Sequence, residues 1–421
     1  MQIELGFGDG LQRVEVPKRN LLGILTPNSA PAGLRGEAAV ARALERPIGT
    51  PRLREIVKPG EKVVVVTSDI TRPMPTARVM PLLLDELYQA GVQAADISLV
   101  FALGSHRRHT QEEIARLAGA RAYREIRCVD ADAEDCVRMG ITARGTPVDV
   151  TRIVAAADRR ICLGNIEYHY FAGYSGGAKA IMPGVSSRAA IQMNHRHMVD
   201  ANACVGKLDG NPIREDIEEA AALVGVDFIL NVVLGEDKEI LCAVAGDPIR
   251  AHRAGCAFLD TLYLKRIPRP AEIVLVSAGG FPKDINLYQT QKALENAKHA
   301  VRQGGVIILV GSCKEGLGEA NFQKWMLAAP NPQSLVERVH NRFELGGHKA
   351  AAIAMVLSRA EVYLVSELDD SLVNALFLQP YRHAQTALDA AFEKMGRDAG
   401  VLVMPFGGST LPGIAPPDGG N

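Results

Sequence analysis

The sequence predicts an α/β protein of two domains, each built on a largely parallel sheet. Three observations carry that expectation. Short β-branched runs are each followed by a Gly/Pro-rich polar turn and then by an amphipathic stretch. Runs such as 62–67 (KVVVVT) are almost wholly apolar, as in strands buried on both faces. The 421 residues exceed one module and suit two or three domains of ~100–200 residues.

The elements follow in order. Residues 62–67 read as a strand, 68–75 as a loop and 77–90 as a helix closed by Gly91. Residues 97–102 form the next strand, followed by a loop over 104–110 and a helix over 111–117. The strand at 161–163 enters a Gly-rich segment that runs to Gly184. A strand at 273–276 leads through 278–287 into a helix over about 288–302, and 306–310 and 401–404 are further buried strands. Lys265-Arg-Ile-Pro-Arg-Pro270 breaks both periodicities, so the chain divides near residue 268 into an N-terminal domain, 1–268, and a C-terminal domain, 269–421. Unusual residues follow strands on both sides of that split, which predicts an active site in the cleft between the domains. Residues 415–421 read as a tail.

Composition removes several function classes. A formal net charge of −1 argues against a general nucleic-acid or membrane-surface binder. With 5% aromatic residues, base-stacking platforms are scarce. The apolar runs are far shorter than the ~20 residues that span a bilayer, and the N-terminus lacks the basic-then-apolar pattern of a signal peptide. Seven cysteines without paired spacing fit reduced thiols, and the expected location is cytoplasmic.

Five segments could carry chemistry. In Ser68-Asp-Ile-Thr-Arg-Pro-Met-Pro75, Arg72 offers a fork for a carboxylate and Asp69 an acid beside it; a capped turn is the structural alternative. Gly104-Ser-His-Arg-Arg-His-Thr110 puts His106 directly after a strand, where bases sit, although anion binding by the basic run is equally compatible. Asn165 to Gly184 reads NIEYHYFAGYSGGAKAIMPG, whose small residues allow backbone N–H groups to approach a phosphate; a tight structural turn with a solvent lysine is the alternative. Its GYSGGAK followed by Ala180 lacks the Mg²⁺ hydroxyl of a Walker A loop, and GxGxxG is absent from the chain. Asn194-His-Arg-His197 could place one imidazole on a transition metal, but the i, i+2 spacing keeps the pair off one helix face and no HExxH or carboxylate triad supports a centre, so the residues alone favour a structural role. In Gly279 to Leu294 (GGFPKDINLYQTQKAL), Gln289 and Lys292 share a helix face and suit an anion; a solvated face is the alternative.

Together these segments resemble the nickel-dependent lactate racemase family, the 2-hydroxyacid racemases and epimerases with a nickel-pincer nucleotide. The resemblance covers the whole chain and is strongest at SDITRPMP, LGSHR, HYFAGYSGGAKAIMPG, NHRHM, GGFPKDINLYQTQKAL and Phe343-Glu-Leu-Gly-Gly-His-Lys-Ala350. It implies a covalent cofactor at Lys179, the Ni(II) pyridinium-3-thioamide-5-thiocarboxylic acid mononucleotide, whose two sulfurs and one ring carbon hold the metal with His195 as fourth ligand. It implies Gly173, Ser175, Gly176, Gly177 and Tyr288 as cofactor contacts and His106 and His169 as acid/base groups. Asp69, Arg72, Gln289 and Lys292 match the substrate-side residues, whereas His109, His197 and the cysteines match none. The partners it implies are a small 2-hydroxycarboxylate and the enzymes that build the cofactor.

The chemistry agrees with that assignment. The α-hydrogen of a 2-hydroxy acid is too weakly acidic for a side chain to remove as a proton. Hydride transfer through the 2-keto acid avoids the carbanion, and two imidazoles near pKa ~6.5 can serve the two hands of substrate. Asp69 could orient a histidine or fix Arg72. The competing readings are a nicotinamide-dependent 2-hydroxyacid dehydrogenase, which the missing GxGxxG counts against, and a non-enzymatic protein that binds a phosphorylated ligand.

Overall fold

The computed structural model describes residues 1–341 and 343–414, so the expected tail at 415–421 lies outside the described residues. The chain forms two compact units. One is Ala30–Thr261; the other combines Met1–Ser29 with Leu262–Asn421.

The first unit centres on a six-stranded sheet in the order Ile240–Gly246, Phe228–Leu234, Arg159–Asn165, Val63–Ser68, Ile97–Ala102 and Arg127–Asp130. The first pairing is antiparallel and the other four are parallel. Val63 to Val66 are all buried, as expected for strands covered on both faces. The helix Thr76–Gln89 places Val79, Met80, Leu83, Leu84 and Leu87 in one core with Val63, Val65, Leu99 and Phe101. Each such side chain contributes about 1.5–3 kcal/mol of burial, so Leu83→Ala costs about 2–5 kcal/mol.

The second unit holds a six-stranded, all-parallel sheet in the order Gln379–Tyr381, Ala360–Val365, Val301–Val310, Ala271–Ser277, Val401–Met404 and Leu21–Ile24. The hairpin Gln2–Phe7/Gly10–Glu15 buries Ile3, Leu5, Val14 and Val16 with Ile273, Leu275 and Val306. Residues 1–29 therefore pack with the C-terminal part of the chain, which a single division near 268 does not describe. Their strands lack the flanking helices that make a βαβ unit visible in sequence. The helix expected over 288–302 is Leu287–Ala297, and the next strand begins at Val301. Between the pairs Ala271↔Val301 and Ile273↔Val306 that strand carries extra residues, which Gly304 accommodates at φ +73°.

Three motif-bearing loops leave the carboxyl ends of three adjacent parallel strands, Arg159–Asn165, Val63–Ser68 and Ile97–Ala102. Open α/β sheets bind ligands at such ends. Among the described residues no helix is long and apolar enough to cross a membrane.

Candidate active site

Asp69, the first residue after its strand, is only 4% exposed. Its Oδ2 accepts from His106 Nδ1 at 2.8 Å, and its Oδ1 accepts from the Thr71 hydroxyl at 2.8 Å. Of the two roles open to Asp69 in the sequence, the structure shows the histidine contact. With Nδ1–H given to the carboxylate, the neutral His106 ring presents a lone pair on Nε2. Burial pushes the Asp69 carboxyl up, but His106, Thr71 and Arg72 outweigh it and hold the group below its ordinary value. Arg72 is exposed on the same loop, and its guanidinium makes no hydrogen bond or ion pair among the described residues.

His109, which the motif comparison leaves without a role, pins this loop. Its side chain is fully buried; Nδ1 donates to Asp130 Oδ1 at 2.6 Å, and Nε2 accepts the Ile70 N–H at 3.1 Å. The backbone one residue beyond Asp69 is thus tied to the end of the strand Arg127–Asp130.

The Gly-rich segment forms the small hairpin Tyr168–His169/Gly173–Tyr174 and then a 3₁₀ turn, Gly177–Ala180. Two backbone N–H groups of this segment are engaged within the fold. The Ser175 N–H donates to Glu167 O at 2.8 Å, the Gly177 N–H to Asn231 Oδ1 at 2.7 Å, and Ser175 Oγ to Asn165 O at 2.7 Å. A Cβ on Gly173 would lie 2.1 Å from Lys207 O, and on Gly176 2.8 Å from Asn231 Oδ1. On Gly177 it would lie 2.8 Å from the His252 ring. These four residues build the loop that presents Lys179, and two of their N–H groups are already spent inside it.

Burial, then Arg214 and Arg72, push the Lys179 amine well below its usual range. It makes no hydrogen bond or ion pair among the described residues, and Nζ lies 5.7 Å from the Phe171 ring centroid. The same ring stands 4.5 Å from His169 and 4.9 Å from His195, edge-on to both. Phe171, to which the sequence assigns no role, is therefore the hub of Lys179, His169 and His195. Burial first, and then Lys179, Arg72, His195 and Arg214, hold His169 well below its ordinary value and keep the ring neutral. Its Nδ1 accepts the Ala172 N–H at 3.3 Å, so the neutral ring carries its proton on Nε2, opposite to His106.

His195 ends the helix Arg188–His195 and is 7% exposed. Its Nδ1 donates to Asn194 Oδ1 at 2.9 Å, so a metal held by this ring would take Nε2. The neighbouring His197 lies on the following 3₁₀ turn, and burial depresses its pKa.

Gln289, Lys292 and Tyr288 belong to the second unit. They occupy the first turns of Leu287–Ala297, capped by Asn286, whose Oδ1 accepts the Gln289 N–H at 3.0 Å. Gln289 and Lys292 share one face, as their spacing predicts. Lys349, which lies in the FELGGHKA segment, places Nζ 3.7 Å from the Tyr288 ring centroid and donates to Tyr288 O at 2.5 Å.

The residues present fit a covalently held anionic nucleotide carrying a metal. Lys179 offers an amine of depressed basicity, and His195 offers an imidazole with an oriented Nε2. Around the Lys179 loop three buried donors, Asn165 Nδ2, Asn231 Nδ2 and Arg214 Nη1, have no partner among the described residues. Buried donors in that state are costly, and an anion supplies what they lack.

Comparison with known proteins agrees with this geometry. Residues 7–206 match the lactate racemase N-terminal domain and residues 267–411 the lactate racemase C-terminal domain. A lactate racemase of Thermoanaerobacterium thermosaccharolyticum is 32% identical, covering 97% of this chain and 98% of that protein. One from Lactiplantibacillus plantarum is 30% identical, covering 96% and 98%. The solved lactate racemase apoprotein of T. thermosaccharolyticum superposes with a TM-score of 0.87 at 31% identity, covering 98% of this chain and all of that one. A Thermotoga maritima protein shares the fold at a TM-score of 0.63 and 20% identity, covering 92% of this chain. An α/β frame with two imidazoles at its strand ends, matched along its length by racemases, defines an enzyme of the isomerase class. The chain belongs to the lactate racemase family.

Proposed function

We propose that this chain racemises a small 2-hydroxycarboxylate, lactate or a close relative, by reversible hydride transfer to a nickel-pincer nucleotide joined to Lys179 and ligated by His195. The observation that carries the reading is the gathering of Lys179, His169 and His195 around Phe171 on the strand-end face that also holds the Asp69–His106 pair. When bound, the nucleotide supplies a hydride acceptor and donor, so the α-carbon is inverted without a carbanion. The remaining work falls to the chain. Arg72 pairs with the substrate carboxylate, and Gln289 and Lys292 are the polar residues assigned to substrate by motif. His106 takes the hydroxyl proton on Nε2 while Asp69 stabilises the imidazolium that forms. His169 serves the opposite hand, and burial above all keeps it neutral between turnovers.

Enantiopure 2-hydroxy acids incubated with enzyme co-produced with the cofactor-building enzymes, and read by chiral chromatography, test the reaction. Mass spectra of the same preparation should place a nucleotide mass on Lys179, with nickel in equal amount. Active enzyme with neither would overturn the cofactor reading; no interconversion of any acid by loaded enzyme would overturn the reaction.

A further inference from the structure

Behind His195 runs a buried polar chain that the proposed reaction leaves unused. His195 Nδ1 donates to Asn194 Oδ1 at 2.9 Å, and Asn194 Nδ2 donates to Asp216 Oδ2 at 2.7 Å. Asp216 also accepts the hydroxyl of Thr146 at 2.7 Å and that of Thr142. Asn194, Asp216 and Thr146 have no exposed surface, and Thr142 is 3% exposed. Three elements meet in the chain: the helix Arg188–His195, the helix Pro212–Val224, and the turn joining strands Cys136–Ile141 and Pro147–Thr151.

The carboxylate is the unexplained part. All three partners of Asp216 are neutral, and it makes no ion pair among the described residues. A fully buried anion without a cation is expensive. An asparagine at this position could make the same number of contacts without that cost.

We infer that Asp216, acting through Asn194, is a positioning residue for His195 as a metal ligand; the inference rests on the nickel reading above. The carboxylate, at 2.7 Å the nearer of the two acceptors of the Asn194 amide beside Ile213 O at 3.4 Å, fixes which way that amide points. Its charge polarises that amide, so the Asn194 oxygen becomes a stronger acceptor for Nδ1–H. This holds His195 in the tautomer that carries its lone pair on Nε2 and raises the donor strength of that nitrogen. A positive metal at Nε2 is the counter-charge that the buried anion otherwise lacks. Partners of this kind behind a ligand histidine typically change metal affinity about 10–100-fold.

Asp216→Asn removes the charge and keeps the shape, so it separates this role from a purely structural one. The variant, Asn194→Ala, His195→Ala and the wild type would each be co-produced with the cofactor-building enzymes. Four quantities are read: the adduct on Lys179, nickel remaining per adduct during a timed EDTA challenge, the visible absorption of the bound nickel, and the melting temperature. Asp216→Asn should keep its fold and adduct, lose nickel about 10–100-fold faster than wild type and shift the nickel absorption. If it does not fold, Asn194→Ala gives the same reading by cutting the chain at the amide. Wild-type nickel retention and absorption in a folded, adduct-bearing variant would overturn the inference. Nickel that depends on His195 but not on Asp216 or Asn194 overturns this inference alone. Nickel absent from the wild type, or indifferent to His195→Ala, overturns the metal reading and this inference with it.

Discussion

His106 Nδ1 stands 2.8 Å from Asp69 Oδ2, and that bond ties together the loops after two adjacent parallel strands, Ile97–Ala102 and Val63–Ser68. It fixes the tautomer of His106 and prepares a counter-charge for its protonated form. Asp69→Asn should therefore leave a folded protein whose turnover falls toward the ~10²–10⁴-fold loss that a disabled general base causes. The folded Asp69 carboxyl is held below its ordinary value, so its contribution to stability is complete above about pH 4 and is lost as pH falls through the lower folded value. Melting curves across pH 3–6 should show a flatter acid limb in Asp69→Asn; an unchanged limb with normal turnover would remove the pair from both roles.

Arg72 shares that loop, yet its guanidinium is exposed and makes no internal hydrogen bond or ion pair among the described residues. A residue that binds only substrate can be removed without harm to the fold. Arg72→Ala should keep the wild-type melting temperature and lose kcat/KM by roughly 10- to 150-fold, the equivalent of a charged hydrogen bond worth about 1.5–3 kcal/mol. Steady-state kinetics beside a melting curve decide it: a lowered melting temperature with normal kcat/KM assigns Arg72 to the scaffold.

His109 predicts the reverse order of effects. His109→Leu strips Asp130 of its imidazole donor and leaves the Ile70 N–H without its acceptor, at about 1–3 kcal/mol for each orphaned group. Stability should fall first, and activity should follow because the Asp69–His106 geometry hangs on the same loop. Denaturant unfolding with parallel kinetics tests this; full stability in the variant would show that the bond to Ile70 carries no load.

What the sequence disclosed, and what it withheld, follows from distance along the chain. Strands such as Val63–Ser68 are legible because burial on both faces writes an apolar run, and the motifs that bear Asp69, His106 and Lys179 are legible because each is one contiguous segment after a strand. His109 meets Asp130 across 21 residues and Asn194 meets Asp216 across 22, so no local pattern announces either pair. The packing role of the glycines is hidden for the same reason: Gly173, Gly176 and Gly177 make room for Lys207, Asn231 and His252, all more than 25 residues further along the chain. The place of residues 1–29 in the second unit is not legible, because no helix marks their strands as part of the C-terminal sheet.

The two histidines proposed as acid/base groups are differently prepared. His106 presents a lone pair on Nε2 and is 33% exposed at its side chain, whereas His169 carries its proton on Nε2 and is held neutral by burial and by its cationic neighbours. If each mainly serves one hand, alanine at either position should slow hydroxyl deprotonation from a different enantiomer. Steady-state racemisation cannot show this, because the two hands are equal at equilibrium and loss of either base slows net conversion in both directions. A single turnover does show it, as keto acid formed per bound cofactor in rapid-quench experiments started from D- or L-substrate. His106→Ala should lose about 10²–10⁴-fold from one hand and His169→Ala a similar factor from the other. Melting curves on both variants keep a folding defect apart from a chemical one, since His169 also packs edge-on against Phe171. Near-wild-type single turnovers from both hands in a folded His169→Ala would leave that residue a packing group and place both proton transfers on His106.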